Sequence, residues 1–372
     1  MHHVRGITTR QAHVDVPAGT VEEELGRNGF FGKVSHLYRS HPPVAWSDVE
    51  GDLRPRALVA TELPGLDDKA VWPKARVAFL ENDDVVLHMA RIAAPMANAF
   101  RNADADEILF CHQGGGVCRT DFGPIRYDRG DYVVVPRGVM YRLVPDSPSV
   151  FMIIESTDEV KLPDRGILGR HALFDEDVIG VPTPEKAPEE PGRTSWGVDV
   201  QRRRVISKIT YPFDPLDVVG WKGDLYPYRL STKDIRPITS EKYHLPPSAH
   251  ATFVMTNVIV CTFLPRPLET GDPGAMKVPF YHSNIDFDEV LFYHDGEFFS
   301  RAGMKAGMVT FHPQGIHHGP QPAAIRASVT KERTNEQAVM VDTRRPLSVT
   351  AAGASASIPN YHLSWTNEEI SR

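Results

Sequence analysis

Two neighbouring stretches near the end of the chain decide the fold, HSNIDFDEVLFYHDG (282–296) and GMVTFHPQGIHH (307–318). They follow the spacing H-x-N-x4-E-x6-G and G-x5-P-x-G-x2-H. Glycine and proline at such offsets punctuate short strands, because both residues favour tight turns. The second stretch carries three histidines, His312, His317 and His318, which indicate a metal site, a set of general bases or an ordinary polar loop.

The composition predicts a folded globular protein that acts on small molecules. A length of 372 residues suits two domains or one large all-β domain, and 41% hydrophobic content allows substantial cores. The net charge of -7 includes no long basic block, which argues against nucleic acid or a membrane as partner. Because no signal peptide or bilayer-length apolar run is visible, we expect a cytoplasmic protein. Cys111, Cys118 and Cys261 lack a CxxC spacing and are predicted to be buried free thiols.

The local pattern is that of an all-β protein. Segments such as DYVVVPRG (131–138) and EVLFYHDGEFFS (289–300) are short, rich in β-branched and aromatic residues, and bounded by Gly, Pro, Asn or Asp. The 28 glycines and 31 prolines favour many tight turns over a helical bundle. We therefore expect strands, turns and very little helix.

The two opening stretches resemble the paired motifs of the cupin superfamily, small antiparallel jelly-roll barrels. In that superfamily the first motif contributes a histidine and a glutamate, here His282 and Glu289, and the second contributes a histidine. Side chains alternate along a strand, so His312 and His318 share the inward face if the intervening turn preserves parity, whereas His317 points away. His318 is therefore the predicted ligand. Two imidazoles and one carboxylate suit Fe(II) and leave positions for substrate and dioxygen.

An earlier segment repeats the spacing without the ligands. NADADEILFCHQGG (102–115) keeps the interval E-x6-G, and GDYVVVPRGVMY (130–141) keeps G-x5-P-x-G. Asn102 stands in the place of the first histidine and Tyr141 in the place of the last. We therefore predict that this earlier barrel holds no transition metal.

Together the two segments predict a bicupin, with a first barrel that lacks metal ligands and a second that is catalytic. The predicted N-terminal domain covers residues 1–240, with its degenerate barrel at about 76–165. The predicted catalytic domain covers residues 241–372.

Flanking residues narrow the resemblance to one family. The stretches HPQGIHHGP (312–320) and PFDPLDVVGWKGDLYPY (212–228), with further segments through most of the chain, resemble the homogentisate 1,2-dioxygenase family. By that resemblance His282, Glu289 and His318 correspond to the iron ligands. The partners implied are a small aromatic substrate and O2, and the assembly implied is a homo-oligomer, a trimer or a hexamer built from trimers.

The resemblance implies opening of the homogentisate ring to maleylacetoacetate, within tyrosine and phenylalanine catabolism. A dihydroxyphenyl acid chelates Fe(II) only after a hydroxyl loses its proton, and an imidazole that titrates near neutrality is a suitable acceptor. The resemblance assigns this role to His244, and His250 is the alternative base. His312 would orient the bound substrate oxygens or, alternatively, be a satisfied histidine behind the ligands.

The predicted substrate contacts are His312, His318 and Phe298. Phe298 occupies the position at which longer members of the family have a tyrosine that contacts substrate. The missing hydroxyl removes a hydrogen bond of about 0.5 to 1.5 kcal/mol, enough to shift preference among related hydroquinones. Two alternatives therefore stay open: a dioxygenase of another hydroquinone acid such as gentisate, and a non-catalytic bicupin that binds metal.

Overall fold

The structure, a computed structural model, describes residues 1–277, 280–298, 301 and 303–366. Strands dominate within these residues, and the helices are short pieces of at most seven residues. The prediction of an all-β protein is therefore confirmed. The strands, numbered β1 to β20 in chain order, fall into two compact units.

Unit 1 contains Met1–Val59, Arg236–Leu347 and the chain from Ser357 onward. Its strands are β1 (Val21–Gly26), β2 (Val34–Arg39), β3 (Arg56–Val59), β14 (Ala251–Val254), β15 (Val258–Phe263), β16 (Tyr281–Asn284), β17 (Asp288–Asp295), β18 (Met308–His312) and β19 (Gln337–Thr343). They form an antiparallel sheet in the order β14-β15-β19-β17-β18-β3 and a smaller sheet in the order β16-β1-β2. The unit also contains helix α1 (Pro322–Ser328) and the 3-10 turns Pro247–His250 and Tyr361–Leu363.

Unit 2 contains Ala60–Ile235 and Ser348–Ala356. Its strands form one eleven-stranded sheet: β4 (Arg76–Glu81), β5 (Val85–Ile92), β6 (Ala99–Asn102), β7 (Asp106–Thr120), β8 (Gly123–Asp128), β9 (Asp131–Val135), β10 (Met140–Ser156), β11 (Trp196–Arg202), β12 (Val205–Tyr211), β13 (Tyr228–Ser231) and β20 (Ser348–Val349). Helix α2 (Ala351–Ser355) follows β20, and 3-10 turns cover Ala60–Glu62, Gly166–Leu168, Glu176–Val178 and Thr232–Asp234.

The two units divide the chain differently from the predicted boundary at residue 240. The first 59 residues cluster with the C-terminal part of the chain rather than with the earlier barrel. The physical reason is strand pairing: β1 runs parallel to β16, and β3 pairs antiparallel with β18, so the hydrogen-bonding edges of both C-terminal strands are covered. The segment predicted as the first barrel, about 76–165, lies within unit 2. That the two units are jelly-roll barrels stays a prediction.

Strand β17 shows how unit 1 presents its polar residues. Glu289, Leu291 and Tyr293 alternate along the strand and line one cavity. Val290 and Phe292 lie between them, point to the opposite face and are fully buried. Alternation therefore places a carboxylate on an inward face that is otherwise apolar or aromatic.

The prediction for the cysteines is confirmed. Cys111, Cys118 and Cys261 are buried free thiols, as predicted. Among the described residues, no helix combines the length and the apolar character that crossing a bilayer would require.

Candidate active site

Strand pairing brings the predicted ligands together. His282 in β16 and His318 in the loop after β18 form an isolated β-bridge, in which each backbone N–H donates to the other carbonyl, at 2.8 and 2.9 Å. Glu289 in β17 lies directly opposite His312 of β18. The turn between His312 and His318 thus returns the chain so that both histidines approach the same carboxylate.

His282, Glu289 and His318 form a compact buried group. One ligand atom from each lies within 4.8 Å of the others. The Nε2 atoms of His282 and His318 lie 3.7 and 3.5 Å from Glu289 Oε2. His282 Nδ1 donates to the Phe280 carbonyl at 2.9 Å, which leaves its Nε2 as the nitrogen with a lone pair. Three side chains therefore direct metal-binding atoms at one point.

The Nε2 atoms of His282 and His318 are buried and have no hydrogen-bond partner among the described residues. A buried polar atom without a partner is costly, so it calls for an explanation such as a bound ion. Two nitrogen lone pairs and one carboxylate are a donor set that transition metals bind. The residues present therefore fit a metal ion.

The electrostatics of the group agree with this fit. Burial and the neighbouring His282 lower the pKa of His318 to about 3, so its imidazole is neutral, the form that binds metal. Burial alone would raise the pKa of Glu289, but the surrounding imidazoles of His318, His282 and His312 hold it well below its usual range. Glu289 is therefore an ionised carboxylate, ready to bind a cation.

His312 supports the carboxylate. It is fully buried, and its Nδ1 lies 2.8 Å from Glu289 Oε1, so the imidazole donates a hydrogen bond to the ionised carboxylate. Its ring stacks on that of His318, with centroids 4.9 Å apart. Burial lowers the pKa of His312 to about 4, so the ring is neutral. The Nε2 of His312 is buried and has no hydrogen-bond partner among the described residues, so His312 orients Glu289 and both of its predicted roles stay predictions.

His317 points away from this group. Its side chain is 35% exposed, and its Nε2 lies 2.7 Å from Glu23 Oε1. The alternation argument from the sequence therefore describes the geometry of the turn correctly.

A cavity lies beside the three convergent side chains. Its apolar walls are Phe263, Phe280, Leu291 and Met340. Two histidines and three charged side chains besides the metal-binding group also line it, namely His244, His250, Arg266, Arg301 and Glu336. An apolar slot with a few polar groups is the usual form of a site for a small organic molecule.

The two candidate bases, His244 and His250, both line this cavity but differ in their surroundings. His244 Nδ1 lies 3.1 Å from Glu269 Oε1, and both residues are buried. His250 Nδ1 has no hydrogen-bond partner among the described residues. Burial, together with the positive charge of Arg266, lowers the pKa of His250 to about 3. Of the two, His244 has the carboxylate that would stabilise a protonated ring.

Phe298 packs behind the wall of the cavity. The described lining of the cavity does not include it, nor His312 and His318. Its ring packs edge-on against Tyr293, with centroids 4.6 Å apart, and Tyr293 itself lines the cavity and bonds Thr310 through its hydroxyl at 3.0 Å. The contacts of Phe298, His312 and His318 with substrate stay predictions.

Several residues of the site gave no signal in the sequence. Arg266 and Arg301 approach the cavity from a strand-end loop and from a loop beyond β17, and Glu269 reaches His244 across 25 positions of chain. None of them belongs to a recognisable motif, since their proximity depends on long-range packing.

In unit 2, both carboxylate oxygens of the corresponding glutamate, Glu107, accept hydrogen bonds from protein groups. Tyr141 donates its hydroxyl to Glu107 Oε2 at 2.9 Å, and Arg76 bonds Glu107 Oε1 through Nη1. The Asn102 side chain accepts from the backbone N–H groups of Asp104 and Ala105. Among the described residues, unit 2 contains no group of three His, Cys, Asp or Glu side chains that could hold a metal.

Comparison with known proteins relates the chain to dioxygenases. A family model described as homogentisate 1,2-dioxygenase N-terminal matches residues 75–232. "Putative dioxygenase SSO1533" of Saccharolobus solfataricus is 34% identical over 366 residues, covering 92% of both chains. Homogentisate 1,2-dioxygenase of Nitrobacter hamburgensis is 29% identical, over 94% of this chain and 81% of the relative. The enzyme of that name from Bradyrhizobium diazoefficiens is 28% identical over 69% of this chain, which spans only 60% of that relative.

Solved structures are more distant. A cupin 2 conserved barrel domain protein from Leptotrichia buccalis aligns over 75% of this chain and 92% of its own, with 10% identity and a TM-score of 0.36, too low for an inference. The sequence relatives suffice for the assignment. The chain therefore belongs to the homogentisate 1,2-dioxygenase family and is a dioxygenase.

Proposed function

We propose that this chain is an Fe(II)-dependent dioxygenase that opens the aromatic ring of a hydroquinone acid, with homogentisate as substrate and maleylacetoacetate as product. The observation that carries the proposal is the pair of buried, unpartnered Nε2 atoms, of His282 and His318, beside the ionised Glu289. The names of the relatives support the choice of substrate. We further propose that each chain contains two cupin barrels and that the chains form a cytoplasmic homo-oligomer. The enzyme would act in tyrosine and phenylalanine catabolism.

His282, Glu289 and His318 would hold the iron. When bound, iron supplies open coordination positions at which substrate and dioxygen are brought together. The protein's own task is to keep the ligand atoms in place: the Phe280 carbonyl fixes the ring of His282, and His312 fixes Glu289.

His244 would remove the phenolic proton. Its Nδ1–H donates to Glu269, so Nε2 carries the lone pair that accepts a proton. The carboxylate then stabilises the imidazolium that forms. His250 is a weaker candidate, because a pKa of about 3 gives it little affinity for a proton at neutral pH.

The cavity walls favour an aromatic acid. Phe263, Phe280 and Leu291 contact a ring and exclude water from it. The guanidinium groups of Arg266 and Arg301 line the same cavity and are suited to a carboxylate. Arg266 is only partly neutralised, since Glu336 Oε1 lies 3.7 Å from its Nη1.

The test is anaerobic reconstitution with Fe(II), followed by oxygen uptake with homogentisate, gentisate and a monohydroxyphenylacetate. We expect uptake with homogentisate to exceed that with gentisate, and none with the monophenol, because it cannot form the hydroquinone dianion. The His318→Ala variant should consume no oxygen, whereas the matched variant His317→Ala should resemble wild type. Faster uptake with gentisate would overturn the choice of substrate, and no uptake with any hydroquinone would overturn the activity.

A further inference from the structure

The N-terminal hairpin of unit 1 carries a second group of histidines and carboxylates. Glu24 in β1 lies directly opposite His36 in β2, and Glu22 lies two residues earlier on the same face of the strand. His13, from the segment before the hairpin, packs against these carboxylates. None of these residues takes part in the chemistry proposed above.

Their contacts converge on one carboxylate oxygen. His13 Nε2 lies 3.4 Å from Glu24 Oε2, and His36 Nε2 lies 3.1 Å from the same oxygen. One ligand atom each from His13, Glu24 and His36 lies within 4.8 Å of the others. The contact from His36 is also a hydrogen bond, in which the ring N–H donates to Glu24. Ligands about 2.0 Å from a tetrahedral zinc ion are roughly 3.3 Å apart, so the two separations from Glu24 suit a metal-binding set from which that proton has been lost.

Glu22 lies beside the other ring nitrogen of His13. Its Oε1 is 2.6 Å from His13 Nδ1, the ring nitrogen that faces away from Glu24, and it accepts the backbone N–H of His13 at 3.0 Å. The ring nitrogen and the carboxylate do not have the geometry of a hydrogen bond. Glu22 is therefore placed so that a rotation of the ring would let His13 donate its other N–H to a carboxylate, as metal-binding histidines usually do.

The competing account is an ion-pair cluster with protons instead of a metal. Burial lowers the pKa of His13, but Glu22 and Glu24 more than offset this and raise it to about 9. Two largely buried carboxylates, Glu22 and Glu24, then share the positive charge of His13. A divalent cation bound to two neutral imidazoles balances both carboxylates, which removes the cost of an uncompensated buried charge.

We propose that His13, Glu24 and His36 form a second metal site, for Zn²⁺, that fastens the segment carrying His13 to the N-terminal hairpin. Two imidazoles and a carboxylate suit zinc, and zinc exceeds Fe(II) in affinity for such donors. The register places Glu24 directly opposite His36 in the hairpin, and β1 itself pairs with the strand that carries His282. The ring of His13 also stacks on Phe280, at 4.2 Å, and Phe280 lines the cavity.

The experiment removes the first site so that only the second is measured. In the double variant His282→Ala, His318→Ala, equilibrium dialysis against Zn(II) should show about one zinc per chain. Adding His36→Ala should weaken that binding at least tenfold, and adding Glu22→Gln should weaken it roughly 10- to 100-fold. Adding His41→Ala, an exposed histidine just beyond β2, should change nothing.

Two outcomes would overturn the proposal: no zinc in the double variant, or zinc binding that is insensitive to His36→Ala. Hydrogen exchange of the same double variant supplies a second measurement if the added substitutions impair folding. Zinc should slow exchange of the β1 and β2 amides, and unchanged exchange in saturating zinc would also overturn the proposal. Both measurements are made without the first site, so their failure leaves the proposed dioxygenase activity untouched.

Discussion

Glu107 in unit 2 and Glu289 in unit 1 occupy the same place in the E-x6-G spacing and have opposite surroundings. Glu289 faces three imidazoles, and two of them direct unpartnered nitrogens toward it. Glu107 accepts from the Tyr141 hydroxyl and the Arg76 guanidinium. Arginine has no lone pair that could bind a metal, so the surroundings of Glu107 do not favour a cation.

The difference teaches that the spacing specifies a place for a carboxylate, and that its neighbours decide its use. In unit 2, Arg76 also bonds Glu155 at 3.0 Å and contacts Gln201, which makes a buried polar network with its charges paired. Such a network contributes to stability and specificity of packing. In unit 1 the Nε2 atoms of His282 and His318 have no hydrogen-bond partner among the described residues, as is common where function outweighs local stability.

The largest effect is expected from His244→Ala, a change in the cavity of unit 1 that has no counterpart in unit 2. Loss of a positioned base should lower turnover by roughly 10²- to 10⁴-fold and leave the iron content unchanged. Steady-state oxygen uptake and metal analysis of the same samples measure both. His250→Ala is the control and should do much less, because its imidazole is neutral and lacks a carboxylate partner. The opposite ranking would transfer the role of base to His250.

A second test removes the cation that closes Glu107. Arg76→Met should lower the free energy of unfolding by about 3 to 5 kcal/mol, because it leaves buried carboxylates without their partner. Urea denaturation measures this. The control is Arg126→Met in the same unit: Arg126 pairs with Asp146 at 2.6 Å, but the two side chains are 61% and 52% exposed, so the loss should be much smaller. Equal losses in the two variants would contradict the contrast between the units.

The pH dependence of unit 2 gives a third test, through Glu155. Burial raises the pKa of Glu155, but the bond from His88 and the charge of Arg76 outweigh it and lower the pKa from 4.5 to about 2. A lowered pKa contributes stability that is present above about pH 4.5 and is lost as the pH falls toward 2. The urea midpoints of wild type and Glu155→Gln should therefore differ at pH 7 and converge in acid. A difference that stays constant with pH would exclude this linkage.

The smallest effect is expected from Phe298→Tyr. The ring lies behind Tyr293 rather than in the described cavity lining, so an added hydroxyl should leave kcat/KM for homogentisate within a few fold. Kinetics on homogentisate and gentisate measure it. A large gain on homogentisate with a loss on another hydroquinone would show that the position does contact substrate and that the substrate is misassigned.

The sequence predicted the parts of the molecule that depend on local spacing. The β pattern and the outward direction of His317 follow from turn residues and strand alternation, and the set of His282, Glu289 and His318 was implied by the resemblance to the paired cupin motifs. These features need only a few residues of context. The replacement of the last ligand by Tyr141 was visible for the same reason. The assignment of Asn102 to the place of the first histidine was wrong, because Phe100 pairs with Tyr141 as His282 pairs with His318.

The remainder depends on contacts between distant parts of the chain. Pairing of β1 with β16 joins residues more than 250 positions apart, and no local pattern announces a parallel neighbour. For that reason the boundary at 240 missed the first 59 residues, and the group of His13, Glu24 and His36 went unnoticed. Likewise, a two-residue offset from Gly296 could not show that Phe298 lies behind the wall.

The central claim is that metal is held in unit 1 by the unpartnered nitrogens beside Glu289 and not in unit 2. It is tested most directly by counting iron per chain after anaerobic reconstitution, in a His36→Ala background that removes the proposed zinc site. Glu107→Gln should retain about one iron per chain, and Glu289→Gln should lose nearly all of it, because only the second change removes a ligand. Full iron occupancy in Glu289→Gln, or its loss in a folded Glu107→Gln protein, would contradict the account.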